Sequence, residues 1–320
     1  MKQGAEATAI ITAALPPSSS CLRIVTYNIW FTGYKAEARM KAISAIIQAC
    51  VPDVIMLQEV TSALYGVLAD SAWFDNYVAS SEPDTLPEWM ECCNVLLLKK
   101  ATFSDISPFR FKLFPNSNMG RGLLFGTAEA FGTRFCFVDT HLESPMWSSE
   151  HYMFYREREA QLENALEFLE ENFGRNGVEV VFGGDLNWID AEQGPLALPP
   201  GWMDPWPMLR AHDPGFTYDA SANRMLGGWN PHRSRLDRFC LRLHAWDADR
   251  IAMEGRSAIP DAFVLDYTDI RTGQHLPILP SDHFGLLLQL RQRTQGGPAP
   301  ANPIPKSPYE YLQKRGELRG

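Results

Sequence analysis

Residues 178–187 read Val178-Glu179-Val180-Val181-Phe182-Gly183-Gly184-Asp185-Leu186-Asn187. The β-branched, apolar run over 178–182 has the length of a buried strand, and it passes through two glycines into a carboxylate and an amide. Taken alone, that ending is a Gly-rich turn. The pattern recurs, however. Residues 23–27 run into Asn28, 54–57 into Gln58-Glu59, and 135–138 into Asp139-Thr140-His141, while Pro280-Ser281-Asp282-His283 opens a strand over 285–290. Further strands read over 94–98, 122–128, 134–139 and 237–243, bounded by turn residues. Met40, Ile43, Ile46 and Ile47 place a helix over 37–50, and Leu162, Ala165, Leu166 and Leu169 a second over 155–173, with Gly174 at its end. Many short strands with two clear helices predict an α/β sandwich, two sheets face to face with helices outside; a doubly wound parallel sheet needs more crossover helices.

The 320 residues are 45% hydrophobic and carry a net charge of −9, so the chain can bury a large core and is no general duplex coater. Residues 1–20 read as a disordered leader, 21–291 as one catalytic-sized domain and 292–320 as a Pro/Gly-rich, charged tail. The six cysteines lack metal-site spacing, which suggests reduced thiols and an intracellular protein, in nucleus or cytoplasm. No stretch is apolar enough to span a bilayer. A monomer is the expectation.

Residue types choose the chemistry. Asn28, Glu59, Asp185 and Asp282 are hard oxygen donors, suited to Mg²⁺ or Mn²⁺ with room left for a phosphate. Histidines beside them can stabilise a phosphoryl transition state. No P-loop and no G-x-S-x-G elbow is present. Each piece has a plainer reading: Glu59 as a helix cap, Asp185 and Asn187 as turn formers, His141 as a structural histidine, Asp282-His283 as a cap. Their joint occurrence in order favours the site.

The ordered set Thr26-Tyr27-Asn28, Leu57-Gln58-Glu59, Thr140-His141-Leu142-Glu143-Ser144, Gly184-Asp185-Leu186-Asn187, Arg235-Leu236-Asp237-Arg238 and Ser281-Asp282-His283 resembles the endonuclease/exonuclease/phosphatase superfamily. Its His-Leu-Glu-Ser and Pro-Ser-Asp-His-Phe-Gly-Leu-Leu segments are similar to the tyrosyl-DNA phosphodiesterase 2 branch, over about residues 22–290. The resemblance implies a four-layer αββα sandwich and a metal-dependent phosphodiesterase. Its partner would be a single-stranded 5′ DNA end carrying a tyrosyl or peptide adduct, as a stalled type II topoisomerase leaves. It implies that Glu59 and Asp282 hold Mg²⁺ with Asn28 in support. Asp185 would activate water, with Asn187 on the phosphate. His283, oriented by Asp237, would stabilise the transition state, and His141 and Ser144 would grip the scissile phosphate.

The chain also departs from that pattern. Trp30 stands where an acidic residue is expected, Tyr218 where the branch usually carries Trp, and Trp188-Ile189-Asp190 follows Asn187 without an arginine. Trp30, Phe31, Trp188, Tyr218 and Trp229 offer stacking surfaces for bases, with core packing as the plainer reading. Arg121, Arg233, Arg235 and Arg238 offer a local basic groove, and 73–89 reads as a loop bordering the site. Other reactions of the superfamily, abasic-site endonuclease, deadenylase, sphingomyelinase or phosphatase, stay open, as does a catalytically weak nucleic-acid-binding scaffold.

Overall fold

Ile24 and Val25 are adjacent and both buried, yet they belong to different cores. Successive strand residues point to opposite faces, so a strand apolar on both faces must be covered on both. The computed structural model describes residues 20–82, 92–146, 153–226, 232–268 and 273–293. The first half runs β1 (Cys21–Asn28), α1 (Ala36–Cys50), β2 (Val54–Val60), α2 (Ser62–Ala69), β3 (Tyr77–Ala79), β4 (Cys93–Lys99), β5 (Arg110–Leu113), β6 (Gly122–Ala130) and β7 (Thr133–His141). Next come α3 (Tyr155–Asn172), β8 (Glu179–Asp185), α4 (Asp190–Gln193), β9 (Trp202–Met203), α5 (Pro205–Leu209), β10 (Tyr218–Asp219) and β11 (Arg233–Ser234). The chain then forms β12 (Asp237–Arg242), β13 (Trp246–Glu254), β14 (Phe263–Thr268), β15 (His275–Pro277) and β16 (Gly285–Gln292).

One six-stranded sheet has the order β13-β16-β1-β2-β4-β3 and the other β5-β6-β7-β8-β12-β9; β10-β11 and β14-β15 are two-stranded ribbons. Ile24, Met56 and Leu288 of the first sheet meet Phe137, Val181 and Phe239 of the second in a shared core. The opposite face of the first sheet, with Val25 and Leu57, packs on Met40 and Ile43 of α1 and Leu64 and Leu68 of α2. The outer face of the second, with Val138, Val180 and Phe182, packs on Leu162, Ala165, Leu166 and Leu169 of α3. The result is the expected αββα sandwich.

Several local expectations need correction. Gly183 and Gly184 are not a turn: both pair within β8, opposite Phe239 and Arg238 of β12. Gly174 opens a short 3₁₀ turn, and Gly177, at φ 74°, takes the left-handed closing position. Residues 73–79 form a short 3₁₀ turn and a strand rather than a loop, anchored by buried Trp73, Phe74 and Tyr77, with Trp73 Nε1 donating to Ser44 Oγ at 2.8 Å. The rest of that segment, 83–91, lies outside the described residues, as do Trp229, the leader before Ser20 and the tail after Arg293. Ser20 O accepts from Gln292 N at 3.0 Å, beside the pairing of β1 with β16.

Candidate active site

Three side chains line up across the second sheet because of strand register. β7 and β8 are parallel with His141 beside Asp185, and antiparallel β12 sets Asp237 beside the same Asp185. In the first sheet, parallel β1 and β2 end together with Asn28 beside Gln58. Gly184 permits the first alignment: its φ is +136°, and a Cβ there would collide with the Thr140 carbonyl. Trp30, Glu59 and Asn187 also adopt positive φ, at 60°, 61° and 49°. Such backbone costs of order 1–3 kcal/mol per residue and gathers where side chains must be aimed.

Hydrogen bonds tie the two sheets into one cluster. Asn28 Nδ2 donates to Glu59 Oε1 (3.1 Å) and to Asp185 Oδ2 (2.9 Å), while Asn28 Oδ1 accepts from Trp30 N. Glu59 Oε2 accepts from Phe31 N at 3.0 Å. Glu59 therefore does not cap α2; that cap is Thr61, whose Oγ1 accepts from Leu64 N. Asp185 Oδ1 takes Asn187 N (2.9 Å), so the turn-former role is real but uses only one of its oxygens. Its Oδ2 lies 3.5 Å from His141 Nε2 and 3.9 Å from His283 Nε2. His283 Nδ1 sits 2.8 Å from Asp237 Oδ2, and Asp237 N donates to Thr217 Oγ1. Ser144 Oγ lies 3.4 Å from His141 Nε2 and 3.5 Å from Asn187 Nδ2.

Burial sets the electrostatics. Asp185 is fully buried, which pushes its carboxyl up to about 7; the Asp237 charge adds to this, and His283, Asn28 and Asn187 N offset it. Burial pulls the His283 imidazolium down, but Asp237, Asp185 and Asp282 together hold it well above the usual histidine value. Burial, Arg121 and His283 all drive His141 well below that value. Their surroundings thus push the two histidines in opposite directions within one site.

Of the other residues named from sequence, Tyr218 packs edge-on against His283 with ring centroids 5.3 Å apart. Trp30 is half-buried beneath the Arg39 guanidinium, 4.9 Å from its ring. Trp188 is buried in the α3 core, its Nε1 donating to Gly194 O. Arg235 pairs with Asp204 at 2.6 Å, and Arg238 is buried against Asp190, so neither guanidinium lines an open groove. Arg233 binds Asp219 and stacks on Phe216. Arg121 alone of that set enters the cluster, its Nη1 2.9 Å from His141 Nδ1. Sequence reading missed Arg39, which is fully buried and donates to the carbonyls of Tyr34, Ile29, Trp30 and Thr32, fixing the loop after β1. A helical arginine in an apolar stripe was its only signal.

Donor atoms of Asp185, Asp237 and His283 lie within 4.8 Å of one another, a grouping able to hold a metal ion. Asp237 and His283 spend their facing atoms on each other, however. Glu59 and Asp282 also offer carboxylate oxygens of the kind a hard cation takes. Both are half-buried, and burial together with the Glu59 charge raises the Asp282 carboxyl to about 6, against the pull of His283, Ser281 and Arg39. A divalent ion between them would relieve that repulsion.

The profile of the Endonuclease/Exonuclease/phosphatase family matches residues 25–283. The chain is 29% identical over 252 residues to the tyrosyl-DNA phosphodiesterase 2 of Xenopus laevis, covering 78% of this chain and 60% of that protein. It is 28% identical over 239 residues to the 5′-tyrosyl-DNA phosphodiesterase of Caenorhabditis elegans, covering 74% and 61%. The chain thus spans about three fifths of the length of these relatives. Among solved structures, it resembles TDP2 from C. elegans with a TM-score of 0.67 and 25% identity, covering 85% of this chain and 75% of that one. Its fold likewise matches D. rerio TDP2 complexed with a single-strand DNA product, with a TM-score of 0.67 at 24% identity, covering 85% and 99%.

Proposed function

The chain belongs to the endonuclease/exonuclease/phosphatase family, and from that membership we propose that it is a Mg²⁺-dependent phosphodiesterase hydrolysing 5′-phosphotyrosyl bonds on single-stranded DNA. Its substrate would be the adduct a stalled type II topoisomerase leaves, which makes it a nuclear DNA-repair enzyme. One observation carries the reading. Asn28 Nδ2 is shared between Glu59 and Asp185, and Asp185 Oδ2 faces both His141 and His283, so an oxygen-ligand pair, a base and two imidazoles converge on one rim. The relatives named above support the tyrosyl substrate.

Glu59 and Asp282, with Asn28 beside them, would hold Mg²⁺, or Mn²⁺ in its place, which would supply positive charge to offset that of the phosphate. Asp185 takes the proton of the attacking water at Oδ2, while the backbone N–H of Asn187 donates to its Oδ1. His283 donates from Nε2 to the developing negative charge, and Asp237 holds its Nδ1. His141, Ser144 and Asn187 bind the scissile phosphate from the second sheet. Tyr218 backs His283, and Trp30 borders the metal ligands. A tyrosine phenol, with an unperturbed pKa of about 10, leaves without a strong general acid.

A turnover assay on single-stranded DNA bearing 5′-phosphotyrosine, beside its 3′ isomer and an abasic duplex, tests the reading. Release from the 5′ substrate alone, with Mg²⁺ and not with EDTA, is expected. Preference for either of the other substrates would refute the assignment.

A further inference from the structure

Glu143 carries no role in the chemistry above, yet its side chain is fully buried. Its Oε2 accepts from Ser117 Oγ (2.8 Å) and Gln161 Nε2 (3.0 Å), and its Oε1 from Asn118 N (2.7 Å). Ser117 Oγ in turn accepts from Arg121 N at 2.7 Å and Met119 N at 3.3 Å, and Phe114 N closes the loop onto Arg121 O. The loop over 114–121 is therefore wound around one hydroxyl, and that hydroxyl is pinned by Glu143. What the loop delivers is the Arg121 guanidinium, with Nη1 2.9 Å from His141 Nδ1 and Nη2 3.0 Å from Ser144 Oγ.

A guanidinium has five donors and no acceptor, and it does not lose its proton. At 2.9 Å, His141 Nδ1 can only accept, so a neutral ring must carry its proton on Nε2. The other side of the ring agrees: Nε2 faces Asp185 Oδ2 at 3.5 Å and Ser144 Oγ at 3.4 Å, both able to accept. We propose that Glu143 is a positioning residue that fixes the His141 tautomer, acting through Ser117 and Arg121 to keep Nδ1 an acceptor and Nε2–H aimed at the reacting phosphate. The catalytic part of this inference rests on the phosphodiesterase reading; the tautomer part does not.

The test is the ¹⁵N spectrum of histidine-labelled protein at neutral pH, with His141 assigned as the resonance lost in His141→Gln. The wild-type ring should be neutral and protonated at Nε2. In Glu143→Gln and in Ser117→Ala the loop loses its pin, and the Nδ1–H form should appear. kcat on the phosphotyrosyl substrate should fall about 10- to 100-fold in both, with KM little changed. Ser117→Ala leaves the buried Glu143 side chain in place, so it carries the test if Glu143→Gln does not fold. A wild-type ring protonated on Nδ1, or an Nε2–H signal unchanged in the variants, would overturn the proposal whatever the substrate proves to be.

Discussion

Asp139 shows how much a single residue can conceal. It is fully buried, and burial holds its carboxyl well above the usual range, against the hydrogen bonds from Gln58 and Thr140. Gln58 Nε2 donates to its Oδ1 at 2.6 Å and to Thr26 Oγ1 at 3.0 Å, linking the two sheets beneath the site. A carboxyl with a raised folded-state pKa adds stability fully below its unfolded value and loses it as pH rises towards the folded value. Asp139→Asn removes that loss, so its melting temperature relative to wild type should rise between pH 4 and pH 8. Melting curves at the two pH values check the sign; a constant difference would mean that Asp139 is charged in the fold. The sequence showed Asn28, Glu59, His141, Asp185 and His283 because each follows or precedes an apolar strand. It hid Arg39, whose partners are backbone carbonyls outside its own helix, and it named Arg121 and Glu143 without showing the Ser117 hydroxyl that joins them.

At the scale of elements, apolar periodicity located β1, β2, β4, β6, β7, β8, β12, β16, α1 and α3 to within a few residues. It failed where other forces decide. β13 reads Trp246-Asp247-Ala248-Asp249-Arg250-Ile251, a polar edge strand with a bulge between Ala248 and Arg250, so alternation is broken and charge dominates. α2 is only 8 residues long and follows directly on β2. Gly-Gly before Asp185 looked like a turn because its φ requirement is the same; the close approach of Thr140 is a tertiary fact. Gly184→Ala should therefore destabilise the fold by at least about 1–3 kcal/mol and shift Asp185 out of line with His141. Denaturant unfolding checks it, and an unchanged midpoint would show that the strand relaxes around the methyl.

Across the whole molecule, the site exists because the two sheets present the same ends of their central strands to one rim. The first sheet brings Asn28 and Glu59, the second His141, Asp185 and Asp237, and the segment before β16 adds Asp282 and His283. Mg²⁺ binding should raise the melting temperature, since saturation at 100 times Kd stabilises by about 2.7 kcal/mol. Asp282→Asn should lose that shift, while in EDTA it should be no less stable than wild type, because burial, with the Glu59 charge, penalises an ionised Asp282. A retained Mg²⁺ shift would move the ion elsewhere, to the Asp185, Asp237 and His283 group.

The most direct measurement is cleavage of a 5′-phosphotyrosyl single strand by wild type and by Asp185→Asn, side by side with Mg²⁺ present. Rapid release by wild type, with a kcat about 10²–10⁴-fold lower in the variant, is the predicted result. Equal turnover by the two proteins would contradict the role of Asp185 on which the mechanism depends.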